Sequence, residues 1–413
     1  MKYTYLLFFI ILNQILLSQT KVEDISLIGL KKTSKSFVQK FIHVQKGDTL
    51  KIDKIENEVN FLKQLPAFSN VTYSIETKNK KAFVRYSFQE AFTLLPEINF
   101  WSVKNKFTYH LGFNEYNLLG RNIHLNLAYQ NNGKSSYFAN TKIPYLWGDF
   151  GVYLGFVFWK SDEPFYLNGT SFMYEYKNTS YEVMTLYYPN FNNHFEFGLN
   201  YFNEGYLALT DVSANLPQKV QKAKLSTKFN YTFNKAKWDF FYIDGIVNNF
   251  YSQMVKTEGV TKPYLIFVND FMYFKRINSK INVATRFRFG LGTNEDTPFS
   301  PFVLDNHVVI RGVGDRIDRG SGVLVLNTEL RYTAVENSWG AIQTVVFSDL
   351  GSWRLPGGDF NDFFDKKIIR WHLGGGVRFI YKKAFNTILR IDYGFGIGFN
   401  KEKGIVLGFG QYF

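Results

Sequence analysis

Two short groups of residues have the types and spacing to do chemistry. One is Arg311-Gly312; the other, a strand later, is Phe347-x-Asp349-x-Gly351. On a strand Phe347, Asp349 and Gly351 share one side, because side chains alternate with a period of two. An arginine offers a planar fork of donors, and a carboxylate accepts it bidentately. A glycine beside each partner lets the backbones come close. The chemistry is charge pairing rather than bond making. Taken alone, an Arg-Gly dipeptide is only a solvated charge beside a turn, so its position must decide. There is no Gly-x-Ser-x-Gly elbow, no Gly-x-x-x-x-Gly-Lys phosphate loop, and no pair at ligand spacing among the six His. Asp359, Asp362 and Asp365 recur every three residues and could hold a divalent cation. Lys366 and Lys367 follow, and a solvated acidic loop is the simpler account. No catalytic residue, cofactor or metal is expected, and the chain is not read as an enzyme.

The elements that must position these residues differ along the chain. Residues 1–19 read as a secretory signal: Lys2, an apolar run from Leu6 to Ile11 extended by Ile15 to Leu17, then Ser18 and Gln19. The run is broken by Asn13 and Gln14 and is too short to span a bilayer. No later stretch is apolar enough for a membrane helix. Yet aromatics make up 19% of the chain, with 44 Phe and 27 Tyr, as half-buried strands and interfacial girdles require. The formal charge of +13 in an exported chain points to anionic lipid or lipopolysaccharide rather than to nucleic acid.

Residues 21–90 predict a small α/β unit in the order strand, helix, helix, strand, strand. Thr33 or Ser34 caps a first helix carrying Phe37, Val38 and Phe41. Ile52, Ile55, Val59 and Leu62 follow helical spacing, and Pro66 stops the second helix. Val71 to Thr77 and Ala82 to Phe88 are strands joined at Lys78-Asn79-Lys80-Lys81.

Residues 91–413 change texture. Leu225 to Phe233, Ile281 to Phe289 and Leu389 to Ile397 alternate apolar with polar or glycine. A soluble sandwich and a membrane barrel look alike locally. The secretory signal and the aromatic strand ending on Phe413 favour the barrel. The fold class is an all-β transmembrane barrel of about sixteen antiparallel strands, an even number as expected of a bacterial barrel, behind one small α/β domain. The first strand is placed near residue 107, and separate strands near 169 and 181. The longest interruption, 293–322, falls between the eleventh and twelfth strands and carries Arg311.

With Gly29, Gly47, Leu62, Phe68, Val71 and the closing Gln89-Glu90, the small unit resembles a POTRA domain. The barrel resembles the outer-membrane assembly-factor and two-partner-secretion translocator superfamily, in a single-POTRA form. The resemblance rests on the Arg311-Gly312 loop, the wall motif of Phe347, Asp349 and Gly351, and the segments Tyr116 to Arg121, Asn327 to Arg331 and Leu389 to Gly394. It implies that loop 293–322 folds into the lumen and sets Arg311 against the wall at Asp349, with Gly320, Gly322 and Glu329 as candidate neighbours. Val313 stands where the family usually has Phe or Tyr, so the apolar anchor is smaller. It implies a bacterial outer-membrane location with the small domain in the periplasm. It implies unfolded outer-membrane or secreted proteins as clients, joining a sheet edge at Val71 to Thr77, and leaves any accessory subunits unspecified. The implied work is protein insertion or translocation without nucleotide. A dedicated exporter of one partner, or a pore or structural barrel, are the alternatives. Ile405, Leu407, Phe409 and Phe413 are expected to face lipid, Gly408 and Gly410 to leave the inner face bare, and Phe413 to act as the terminal assembly signal. These glycines imply either a weak seam between Phe107 to Asn114 and Ile405 to Phe413, which a client strand could join, or only relief of crowding where the closed sheet bends.

Overall fold

A computed structural model describes residues 20–103, 106–167, 170–210, 216–293, 302–304, 309–313, 318–355, 358–385, 387–398 and 401–413. The expected signal at 1–19 lies outside them. The chain divides into two compact units, one of residues 1–91 with Leu119–Arg121, the other of Phe92–Leu118 and Asn122–Phe413.

The first unit holds β1 (Lys21–Ile28), α1 (Lys35–Gln39), α2 (Ile52–Gln64), β2 (Phe68–Lys78) and β3 (Lys81–Glu90). The sheet order is β1-β3-β2, with β1 parallel and β2 antiparallel to β3. Ser34 caps α1 by accepting the Phe37 N–H. Ile55, Val59 and Leu62 of α2 are buried with Val71, Val84 and Tyr86 of the sheet, while Ile52 in the first turn is exposed. Buried Glu58 accepts the His43 and Val44 N–H groups at 2.7 and 3.1 Å and the Tyr86 hydroxyl at 2.6 Å. Burial and that carboxylate push the Tyr86 hydroxyl well above its ordinary pKa. Asn79 and Lys80 both take positive φ, which suits the two-residue turn between β2 and β3. Glu90 accepts from the backbone N–H groups of Lys31, Lys32 and Thr33 at 2.7–3.1 Å, tying the loop after β1 to the end of β3. The start of β1 has its outer side occupied: Gly47 donates to the Val22 carbonyl and Val22 N–H to the Asp48 carbonyl. β2 is the opposite edge of the sheet.

The second unit begins with β4 (Leu94–Val103), β5 (Lys106–Leu118), β6 (Ile123–Asn131), β7 (Ser135–Trp147), β8 (Phe150–Leu167) and β9 (Thr170–Asn190). It continues with β10 (Asn193–Ala208), β11 (Lys219–Asn234), short β12 (Lys237–Asp239), β13 (Tyr242–Thr257), β14 (Tyr264–Arg276) and β15 (Ile281–Gly292). The long loop carries its own ladder of β16 (Phe302–Leu304) and β17 (Asp318–Gly320). β18 (Gly322–Glu336), β19 (Gly340–Arg354), β20 (Arg370–Tyr381), β21 (Thr387–Gly396) and β22 (Lys403–Phe409) complete it. Apart from the loop ladder, these strands close into a barrel in chain order, with β22 beside β4.

Three expectations are corrected. The first strand is Leu94–Val103, so the seam joins β4, not Phe107 to Asn114, to β22. The two strands expected near 169 and 181 are one, since β9 runs unbroken from Thr170 to Asn190. The strand before the terminus stops at Phe409, because Gly410 has φ +79° and leaves the extended region. The outer face is apolar and the inner face polar. On β22 Ile405, Leu407 and Phe409 are exposed outward, while Val406 is buried inward. On β19 Ile342, Val346 and Leu350 point out, while Gln343, Phe347 and Asp349 point in. No helix among the described residues is long and apolar enough to cross a membrane.

Candidate functional site

Four neighbouring strands build one buried wall. Register pairs Asn327 with Asp349 and Glu329 with Phe347 across β18 and β19. It pairs Asp349 with His372 and Phe347 with Gly374 across β19 and β20. It pairs Gly374 with Gly394, Gly376 with Asp392 and Arg378 with Arg390 across β20 and β21. Paired residues share a face, so these side chains converge inside the barrel.

Arg311 reaches this wall from the loop between β15 and β18 and is 0% exposed. Its Nε donates to Asp349 Oδ2 at 2.8 Å and its Nη2 to Asp349 Oδ1 at 2.9 Å, the bidentate pairing expected of the motif. Its backbone N–H also donates to Asp349, at 3.0 Å. Its Nη1 donates to Glu329 and lies 3.5 Å from Asp392. Asn327 Nδ2 donates both to Asp349 and to the Val309 carbonyl, fixing the loop from its other side. The guanidinium carbon sits 3.5 Å from the Phe347 ring centre and 4.0 Å from that of Tyr412.

The carboxylates are shared. Arg331 donates to Glu329 at 2.7 Å, Arg378 to Asp392, and Arg390 lies 3.6 Å from Asp392. Arg311, Arg331, Arg378 and Arg390 thus face Glu329, Asp349 and Asp392, and Arg311, Arg331 and Arg390 also lie against aromatic rings.

Missing side chains make room for the contact. Gly312 has φ +87°, and a Cβ there would lie 2.5 Å from the Gly394 backbone. A Cβ on Gly394 would in turn lie 2.5 Å from the Arg311 carbonyl oxygen. The Phe347 ring lies where a Cβ on Gly374 would be, 2.4 Å away, and Ile310 Cδ1 fills the place beside Gly351. Val313 is buried with Val309, Ile310, Val323, Val325, Trp353 and Ile368, so the loop tip has an aliphatic anchor.

Of the residues singled out in the sequence, Arg311, Gly312, Phe347, Asp349, Gly351 and Glu329 come together. Gly320 and Gly322 do not: they pack on Trp353, Arg354 and Phe363 at the base of the loop. Asp359, Asp362 and Asp365 each accept a backbone N–H, from Asn361, Leu355 and Lys367 respectively, and so order their own turn. Gly408 gives space to the Arg390 guanidinium. Phe413 is not on the lipid face. The chain turns inward at Gly410, and Phe413 packs on Ala236, Ile243, Val247, Phe274 and Ala284. Its main-chain oxygen accepts from Arg331 at 3.1 Å. Arg331, Arg378, Arg390, Asp392, Gly374, Gly394 and Tyr412 were given no role by the sequence. The run Gly374-Gly375-Gly376 inside a strand was the available signal, since glycines there mark close approach.

Residues 20–91 match the family model POTRA, a surface antigen variable number repeat. Among curated proteins none matches the sequence. Three solved structures share the fold over most of the chain. BamA from Haemophilus ducreyi lacking POTRA domains 1–3 is 17% identical with a TM-score of 0.54, over 94% of this chain and 83% of that one. CdiB from Escherichia coli is 11% identical with a TM-score of 0.63, over 94% and 75%. CdiB from Acinetobacter baumannii is 12% identical with a TM-score of 0.58, over 95% and 73%. At these identities the likeness is one of fold.

Proposed function

From a chain that has the POTRA domain and the barrel of the outer-membrane assembly-factor and two-partner-secretion translocator superfamily, we infer a machine that inserts proteins into, or moves them across, the bacterial outer membrane. Residues 1–19 direct export and are removed. Residues 21–90 stand in the periplasm, and residues 91–413 span the outer membrane. The basic balance suits an anionic lipid surface, lipopolysaccharide included. An unfolded client adds its backbone to the open edge of β2, where Val71 to Thr77 offer unpaired donors and acceptors.

One observation carries this reading: Arg311 is buried without exposure, on a loop pinned inside the barrel by Asp349 and Glu329. Burying a charge costs desolvation, and the cost is offset only where carboxylates and hydrogen bonds meet it. A plain solute pore has no use for a loop held across its lumen in this way. The seam of β4 and β22 is the part of the wall that opens to pass a client sideways.

Photo-crosslinkers at the exposed Thr72 and Glu76 should capture unfolded outer-membrane proteins. The chain has no Cys, so a pair introduced across β4 and β22 gives a clean disulfide. Insertion of client barrels into vesicles should stop on oxidation and return on reduction. Capture without loss of activity would select an exporter that threads cargo through the lumen. No capture and unaltered ion conduction would select a pore.

A further inference from the structure

We propose that Gly410–Phe413 is a latch that ties the seam strand to the docked loop through the ring of Tyr412. The segment follows β22 directly, and β22 is the strand beside β4 at the seam. Gly410 turns it inward with φ +79°, and the Gly410 N–H donates to the Ile388 carbonyl at 2.8 Å. Gln411 Nε2 then donates to Gln343 Oε1 at 3.3 Å. Tyr412 is 6% exposed, and its ring centre lies 4.0 Å from the Arg311 guanidinium and 4.8 Å from that of Arg390. Phe413 lies 5.2 Å from Arg286 and anchors the far end on the apolar patch of β13 to β15.

The contact has a physical reason. Arg311 and Arg390 both lie against Tyr412, and the electron-rich ring face is a partner for guanidinia that already share their carboxylates. Val313 gives the loop tip no ring of its own next to Arg311-Gly312. Tyr412 supplies one from the seam side. A strand that moves outward at the seam draws Tyr412 off Arg311, and a loop that leaves the wall removes the ring's partner. Such coupling acts equally in both directions. The latch makes the closed seam and the docked loop one state.

Trypsin provides the test, on the full chain refolded in detergent. Arg311 is shielded while the loop is docked, so cleavage after it reports release. Tyr412→Ala should raise the rate of that cleavage about tenfold or more, with the heat-modifiable gel shift of an intact barrel retained. Tyr412→Leu, which keeps bulk without a ring face, should also raise it and serves if the alanine variant does not refold. Tyr412→Phe should behave as the parent. In the reciprocal arm, Arg311→Ala should speed amide exchange of 408–413. Parental cleavage in the alanine and leucine variants would overturn the latch. Equal acceleration by Tyr412→Phe would also overturn it, because the hydroxyl and not the ring would then be the link. No client enters this experiment, so its failure leaves the proposed function standing.

Discussion

On β5 to β11 the lumen is lined by neutral amides and half-wet ion pairs; on β18 to β21 it is lined by charges that water does not reach. Asn126 donates to Asn114 and Asn140 to Asn126, a ladder of amides from strand to strand. Lys228 meets Glu182 at 2.8 Å with both side chains 16% exposed, and Lys142 meets Glu196. Across the barrel Arg311, Glu329, Asp349 and Asp392 are 0% exposed. Both walls obey the same alternation of polar in and apolar out. The difference is what covers them: the second wall carries the loop and Gly410–Phe413. A polar face alone therefore says nothing of its work. One such face can line a channel while another is the seat of a docked loop.

The comparison can be broken by removing charges from each wall. The largest effect should come from Glu329→Gln, which removes the negative charge that Arg311 and Arg331 share and replaces one of its two acceptor oxygens with an NH2 facing a guanidinium. Removing one partner of a buried pair costs roughly 3–5 kcal/mol. Urea unfolding followed by the heat-modifiable gel shift should read that loss, and a stability equal to the parent would mean that this wall is as wet as the other.

A double-mutant cycle on Arg311→Ala and Asp349→Ala sharpens the picture. Both residues have further partners, Glu329 and Asn327. The double variant should cost more than the worse single and less than the sum, with a coupling of about 0.5–3 kcal/mol. Strict additivity in the unfolding midpoints would separate the two residues. The smallest effect belongs to Lys228→Ala on the wet wall. Water can replace its partner, so stability should fall by about 1 kcal/mol or less, while the cation-to-anion permeability ratio in a planar bilayer should shift. A large loss of stability would erase the contrast between the walls.

Much of the architecture was legible because alternation and turn residues are local. Among the described residues the long barrel strands match the expected sixteen, although two local signals mislead in opposite directions. Pro96 and Glu97 interrupt the apolar run of β4 and hide it. Asn178-Thr179-Ser180 looks like a turn within β9, though all three pair within the sheet. Arg311 and Asp349 were legible because they stand in motifs at the right strands. Arg378 and Arg390 were not, since an inward charge on a strand reads the same whether water or a loop lies over it. Phe413 misled because 405, 407, 409 and 413 keep one parity. The positive φ of Gly410 breaks the period, and nothing in the residue type alone says whether a glycine will use that freedom.

The inward turn at Gly410 also sets the height of the wall. β22 has seven residues and β9 has 21. At about 3.3 Å per residue a seven-residue strand rises only about 23 Å before any tilt. The apolar band of an outer-membrane barrel is about 25 Å tall, and its strands tilt by about 35–45°. In the membrane proposed for this barrel, the lipids touching β22 must therefore compress, while those along β9 need not. The seam then meets the thinnest and most easily disordered bilayer on the circumference, and the same glycine that turns Tyr412 toward Arg311 weakens the lipid barrier beside the strand it ends.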